Sequence, residues 1–192
     1  GGDHARAVEM IGAAIRELPG HAVLHSNLGV SLAQLSRFDE AISAFSEALA
    51  LDSAQVAALY GRANARWQGG DFHGALADFN DCVELNPKYA EAFLNRGGVY
   101  QALNQHHAAI ADFERAAHLR PDMAMAHYNL GNALKRAGDS HRAEQCYRKA
   151  VAAQARSIQK QAQDGGVVTA LLVHALKTGM IDCAVVTDKD DM

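Results

Sequence analysis

Cysteine and proline are both scarce. Cys82, Cys146 and Cys183 stand far apart and form no C-x-x-C pair. That argues against a disulfide framework or a zinc ribbon and suits a reducing, cytoplasmic compartment. Three prolines in 192 residues, beside abundant alanine, favour helices over a β-sandwich. A basic stripe is also missing. Acids and bases are interspersed and the formal charge is −4, so no nucleic-acid partner is expected. The most apolar run, Val167 to Leu176, is too short to span a bilayer and contains His174. No signal peptide opens the chain, and no membrane association is expected. G-x-S-x-G, a P-loop, a complete G-x-G-x-x-G and H-E-x-x-H are all lacking. No catalytic residue, cofactor or metal is therefore assigned. The chain also lacks an initiator Met, and its first residues already sit inside a repeat, so it reads as a fragment of a longer protein.

What is present is a 34-residue period. Ala7, Ala41, Ala75, Ala109 and Ala143 recur at that interval. Four residues beyond each lie Ile11, Phe45, Phe79, Phe113 and Tyr147, and three further on Ala14, Ala48, Cys82, Ala116 and Ala150. Gly29, Ala63, Gly97 and Gly131 form a second series, and Pro19, Pro87 and Pro121 share one slot with Ser53 and Ala155. Spacings of 4 and then 3 keep the small–aromatic–small set on one helical face. Small residues let two backbones approach, and the aromatic fills the groove beside them. Turn signals at Ser36, Gly69-Gly70-Asp71, Asn104 and Gly138-Asp139 fall where a helix hairpin needs them. The pattern predicts nine helices over residues 4–153.

These residues resemble the tetratricopeptide repeat family, whose signature places small residues, an aromatic and a proline at these offsets. The resemblance implies an all-α solenoid, a right-handed superhelix of helix hairpins. Its array covers 1–155: a half repeat, 1–21, then full repeats 22–55, 56–89, 90–123 and 124–157. Position 11 of the second repeat is Arg66, where an apolar residue is usual, which predicts looser packing of that hairpin.

In that family the first helix of each repeat lines a concave face that holds peptides or partner helices. The resemblance implies a protein-binding scaffold. Its inward positions here include Asn27, then Tyr60, Asn64 and Trp67, then Asn95, then Tyr128, Asn129, Asn132, Lys135 and Arg136. Asn27, Asn95 and Asn129 share position 6, and Gly61 interrupts them. An Asn amide offers both a donor and an acceptor, which matches a peptide amide. The row is similar to the asparagine ladder in the repeat arm of protein O-linked N-acetylglucosamine transferases, so a glycosyltransferase arm is one alternative. The same amides could instead bond to neighbouring helices. Tyr60 and Trp67 can anchor a partner or pack against the adjacent repeat. The family's carboxylate clamp for C-terminal chaperone tails needs Lys at position 5 and bases at positions 2 and 6. Those positions hold none in any full repeat, so such tails are not expected as ligands.

Ten histidines raise a metal reading, but His21, His25, His106 and His107 have no third ligand at a metal-site spacing. His25 and His127 stand at position 4, a packing slot. Cys82 fills a small-residue slot and reads as buried. After about Ala155 the period fails. A polar helical stretch, a Gly165-Gly166 break, an apolar helix from about Val167 to Lys177 and a strand from Ile181 to Thr187 are expected, an α/β-like fragment. Gln163-Asp164-Gly165-Gly166-Val167-Val168-Thr169-Ala170-Leu171-Leu172, with Ala155-Arg156-Ser157 and Ile181-Asp182, resembles the N-terminal part of the deazaflavin-reducing hydrogenase and dehydrogenase beta subunit. That family uses flavin and iron–sulfur clusters. The resemblance makes 156–192 a truncated redox-domain-like tail, or one side of a chimeric join. A fragment of such an oxidoreductase with a recruitment arm is the second alternative.

Overall fold

The computed structural model describes residues 2–165, and among them every element is an α-helix. The chain divides into two units, Gly1–Gln105 and His106–Met192. The first holds α1 (Gly2–Glu17), α2 (Ala22–Gln34), α3 (Phe38–Leu51), α4 (Val56–Gln68), α5 (Phe72–Leu85) and α6 (Ala90–Ala102). The second holds α7 (His106–Leu119), α8 (Ala124–Arg136) and α9 (Ser140–Gly165). The expected helix from Val167 and strand from Ile181 lie outside the described residues.

Each hairpin turn closes in the same way. Ser36, Gly70, Asn104 and Gly138 have φ of 58°, 89°, 59° and 86°. The residue after each donates its N–H back across the turn: Arg37 to Leu32, Asp71 to Arg66, Gln105 to Tyr100 and Asp139 to Leu134, at 2.8–3.0 Å. This is the left-handed stop that releases a helix while satisfying its last carbonyls. Gly supplies that backbone freely, and Asn is among the side chains that tolerate it best. Asp71 and Asp139 then open the following helices, accepting from the N–H groups of Gly74 at 2.9 Å and Arg142 at 3.0 Å.

In the first unit α2 packs on α1, α3 and α4, and α4 on α5 and α6. The 34-residue series forms the core: Ala41, Ala48, Ala75, Phe79 and Cys82 are 0% exposed and Phe45 is 1% exposed. The Phe45 ring lies against two glycines. A Cβ on Gly29 would stand 2.8 Å from the ring, and one on Gly61 would overlap it further. In the second unit α8 packs between α7 and α9, and Ala109, Phe113, Ala116, Ala143 and Ala150 are buried. Tyr147 lies on Gly131 as Phe45 lies on Gly29.

Candidate functional site: the face of the first helices

Within the first unit α2, α4 and α6 are neighbours, so the side chains at their inward positions lie on adjoining surfaces. Here the structure brings three of the expected residues into one group. The Asn95 amide on α6 donates to the Tyr60 hydroxyl at 2.9 Å and to Asn64 Oδ1 at 2.8 Å, both on α4. Both Asn95 N–H groups are thereby used inside the fold, and its carbonyl oxygen keeps its acceptor capacity. Tyr60 also packs edge-on to Phe79, 6.0 Å between centroids, and against Tyr89 at 4.9 Å. Burial raises the Tyr60 phenol above its ordinary value, against the hydrogen bonds from Asn64 and Asn95 that lower it. Trp67 lies over α6 at Gly98, where a Cβ would come within 2.7 Å of the indole. Asn27 is exposed on α2. Gly61 interrupts the asparagine series because the Phe45 ring occupies the space a side chain there would need.

In the second unit Tyr128, Lys135 and Arg136 are exposed on α8, with Asn129 and Asn132 half-buried beside them. Asn132 Oδ1 accepts from the Tyr147 hydroxyl at 2.8 Å, and the Tyr128 and Tyr147 rings are 6.0 Å apart.

Behind the α4 face lies a charged cluster that the periodicity hid. Asp78 on α5 is 2% exposed. Arg62 binds it with two N–H groups, at 2.9 and 2.7 Å, and Arg66 adds a third at 2.8 Å. Arg62 also donates to Ser46 at 3.1 Å, and Arg66 to the Gly74 carbonyl at 3.2 Å. The second hairpin therefore carries an ion-pair network where looser packing was expected of Arg66. The legible signal was Arg62 and Arg66 one turn apart, with an Asp at 78 on the buried face of the next helix. Fork-shaped guanidiniums suit such bidentate pairing.

The position-4 histidines do a second hidden job. His25 Nε2 bonds the Pro19 carbonyl at 2.9 Å, and His127 Nε2 the Pro121 carbonyl at 3.1 Å. Each ties its helix to the proline that precedes it. Among the described residues no three His, Cys, Asp or Glu side chains converge as a metal set. Burial pushes the Cys82 thiol up to about 11 and raises that of Cys146. Such thiols are poor nucleophiles and poor cluster ligands. No helix among the described residues is long and apolar enough to cross a membrane.

Repeated two-helix hairpins with a common turn, a common core triplet and side-by-side first helices define an α-helical repeat protein. Family models agree: Tetratricopeptide repeat models match residues 1–56 and 60–102 and again 124–157, and a TPR repeat model matches 99–138. The chain belongs to the tetratricopeptide repeat family. A further model, the N-terminal region of the Coenzyme F420 hydrogenase/dehydrogenase beta subunit, matches 150–192. No curated protein matches the chain. Among solved structures, a MamA crystal structure is 22% identical, with a TM-score of 0.77 over 82% of this chain and 92% of that one. MamA from Desulfovibrio magneticus RS-1 is 22% identical, with a TM-score of 0.75 over 81% and 88%. The first TPR of Spaghetti (RPAP3), bound to the HSP90 peptide SRMEEVD, is 26% identical, with a TM-score of 0.60 over 61% and 93%.

Proposed function

We propose that the chain is a protein-interaction scaffold that holds an extended peptide on the face formed by its first helices. The observation that carries this reading is the group of Tyr60, Asn64 and Asn95. The Asn95 carbonyl keeps its acceptor capacity, and the Asn64 amide, which directs one N–H at Tyr60, has a second to donate, on adjacent helices. One acceptor and one donor side by side match a backbone amide. In the first unit Asn27 offers the same chemistry and Trp67 is a flanking contact; the second unit offers it separately through Asn129 and Asn132, beside Tyr128, Lys135 and Arg136. The RPAP3 repeat that resembles this chain is seen with a bound peptide, which supports a peptide as ligand class. The acidic chaperone tail itself is not the ligand proposed, because positions 2, 5 and 6 lack the needed bases. In this reading the repeat array is 1–155 and a separate tail is 156–192. Selection from a random peptide library tests it: enriched peptides should lose affinity on Asn64→Ala or, where they bind the second unit, on Asn129→Ala. Selected peptides indifferent to every substitution on this face would refute the proposal.

The family match over 150–192 favours a second reading, an oxidoreductase fragment with a recruitment arm. An iron–sulfur cluster needs several thiolates close together. The described residues do not fit that demand, since Cys82 and Cys146 are each buried in a different helix pair. A visible absorbance spectrum of the purified chain separates the readings: a stoichiometric flavin band would favour the second.

A further inference from the structure

We propose that α1 carries a self-association surface on which the α1 of a second copy packs antiparallel. This goes beyond the scaffold reading and uses residues that take no part in it.

The repeat supplies its own comparison. In three hairpins the second helix packs against the helix before it: α3 on α2, α5 on α4 and α9 on α8. Ala41, Phe45 and Ala48 on α3, like Ala75, Phe79 and Cys82 on α5, are thereby at most 1% exposed. The residue just before the aromatic is covered as well: Ala44, Asp78 and Cys146 keep 6%, 2% and 8% of their surface. α1 has the same register but packs on α2, the helix that follows it. Its Ala7, Ile11 and Ala14 are only half-buried, and Met10, in the slot of Ala44, Asp78 and Cys146, is 64% exposed. Ala7, Met10 and Ala14 are spaced by 3 and 4 and form one stripe. Val8 points to the other side of the helix and packs on the core of the first unit. α1 is therefore apolar on two faces, and among the described residues one of them has a helix against it.

In the complete hairpins the equivalent stripe meets an antiparallel helix with small residues at the crossing, Gly29 and Gly131 among them. A second α1 meets that description. Ala7, Ala13 and Ala14 let another backbone approach, and the adaptable Met10 side chain fills the space that remains. The charges also fit. Arg6 lies one turn before Met10 and Glu17 two turns after it, both exposed and both on its face. A twofold axis between Met10 and Ala13 sets Arg6 of each copy opposite Glu17 of the other, and Ala7 opposite Ala14. A parallel pair would instead set Arg6 on Arg6 and Glu17 on Glu17. The contact is short, about four turns of helix. It falls below the area of a lasting dimer, so the association is weak and reversible, with a Kd of about 10–100 µM.

The test is sedimentation velocity on the full chain between about 5 and 500 µM, where a monomer–dimer equilibrium is expected. Met10→Glu places two carboxylates at the axis and should loosen the dimer at least about a hundredfold. The melting temperature of dilute protein should not change, because the side chain is exposed. Arg6→Glu and Glu17→Arg should each loosen the dimer about tenfold. An equal mixture of those two variants should recover the parent affinity, since each copy then offers the charge the other needs. A chain that stays monomeric throughout would overturn the proposal. So would an association indifferent to Met10→Glu, or a mixture no tighter than its components. Loss of the dimer on Leu171→Asp with Leu172→Asp would make the chain's tail the occupant. Binding of a synthetic Ala22–Gln34 peptide more tightly than the second copy would make a first-type helix the occupant, and either result overturns the proposal as well.

Discussion

Substituting Asp78 tests the claim that a buried ion-pair network, not apolar contact, holds α4 to α5. Asp78→Asn keeps the shape but removes the charge and turns an amide N–H toward guanidinium donors. Three short charge-assisted bonds are involved, at 2.7, 2.8 and 2.9 Å. Stranding one partner of a fully buried pair costs about 3–5 kcal/mol. Arg62 and Arg66 keep 18% and 24% of their side-chain surface, so water can reach them and soften the loss. The expected cost is about 2–4 kcal/mol, near the lower end of that range. Urea unfolding followed by circular dichroism gives the number, and hydrogen exchange at α4 and α5 amides shows that the loss begins there. Removing all three charges, with Arg62→Met, Arg66→Met and Asp78→Leu, should return stability to within about 1 kcal/mol of the parent. A cost under about 0.5 kcal/mol for Asp78→Asn would refute the reasoning. So would a triple variant as unstable as the single one.

Gly61→Ala should destabilise by about 1–3 kcal/mol through overlap with the Phe45 ring, and Ala75→Leu by a similar amount; thermal melts check both. Burial holds the Cys82 thiol at about 11 and Tyr89 at about 12, above their ordinary 9.0 and 10.0. Their neutral forms are therefore favoured by folding, and stability should be full below pH 9 and fall as pH rises from 9 toward 12. A Cys82→Ala variant should show a shallower decline in a pH series of urea midpoints. Asn95→Ala should cost about 1 kcal/mol of stability, because two internal bonds are lost, whereas Asn129→Ala should weaken peptide binding with little change in melting temperature. Truncation after Gln163 should leave the helical array folded by circular dichroism, and unfolding of that shortened chain would place essential contacts in the tail.

The backbone of this molecule was legible residue by residue. Ser36, Gly70, Asn104 and Gly138 were expected at the turns and each has positive φ. Of the five alanines in the 34-residue series, Ala41, Ala75, Ala109 and Ala143 are at most 1% exposed, Ala75 and Ala109 being those expected at tight crossings, while Ala7 on α1 is half-buried. Periodic burial and turn chemistry are local signals, so a single chain displays them. The side-chain site was less legible, because its pairs join different helices. From sequence alone Asn95 suits both ligand contact and bonds to neighbouring helices; its N–H groups take the second course, and its carbonyl keeps its acceptor capacity. Arg66 looked like a fault in an apolar slot until Asp78 stood beside it. His25 and His127 shared a packing slot with Leu59 and Phe93, and nothing local announced that their rings reach Pro19 and Pro121. Beyond Ala155 the repeat register ends, yet α9 runs on to Gly165, as the polar helical pattern there suggested.

The seating of Phe45 between Gly29 and Gly61 bears on how such a chain could be rearranged. Repeat proteins invite the view that their hairpins are interchangeable beads. Here α4 is cut to fit what comes before it and what comes after: a bare backbone at Gly61 for Phe45, and a pair of guanidiniums for Asp78. Splicing the third hairpin directly behind the first would bring Asn95 to the place of Gly61, against a ring that leaves no room for a side chain. Duplication or deletion of one hairpin thus has to be accompanied by change in its neighbours, and the order of the repeats is written into their joints.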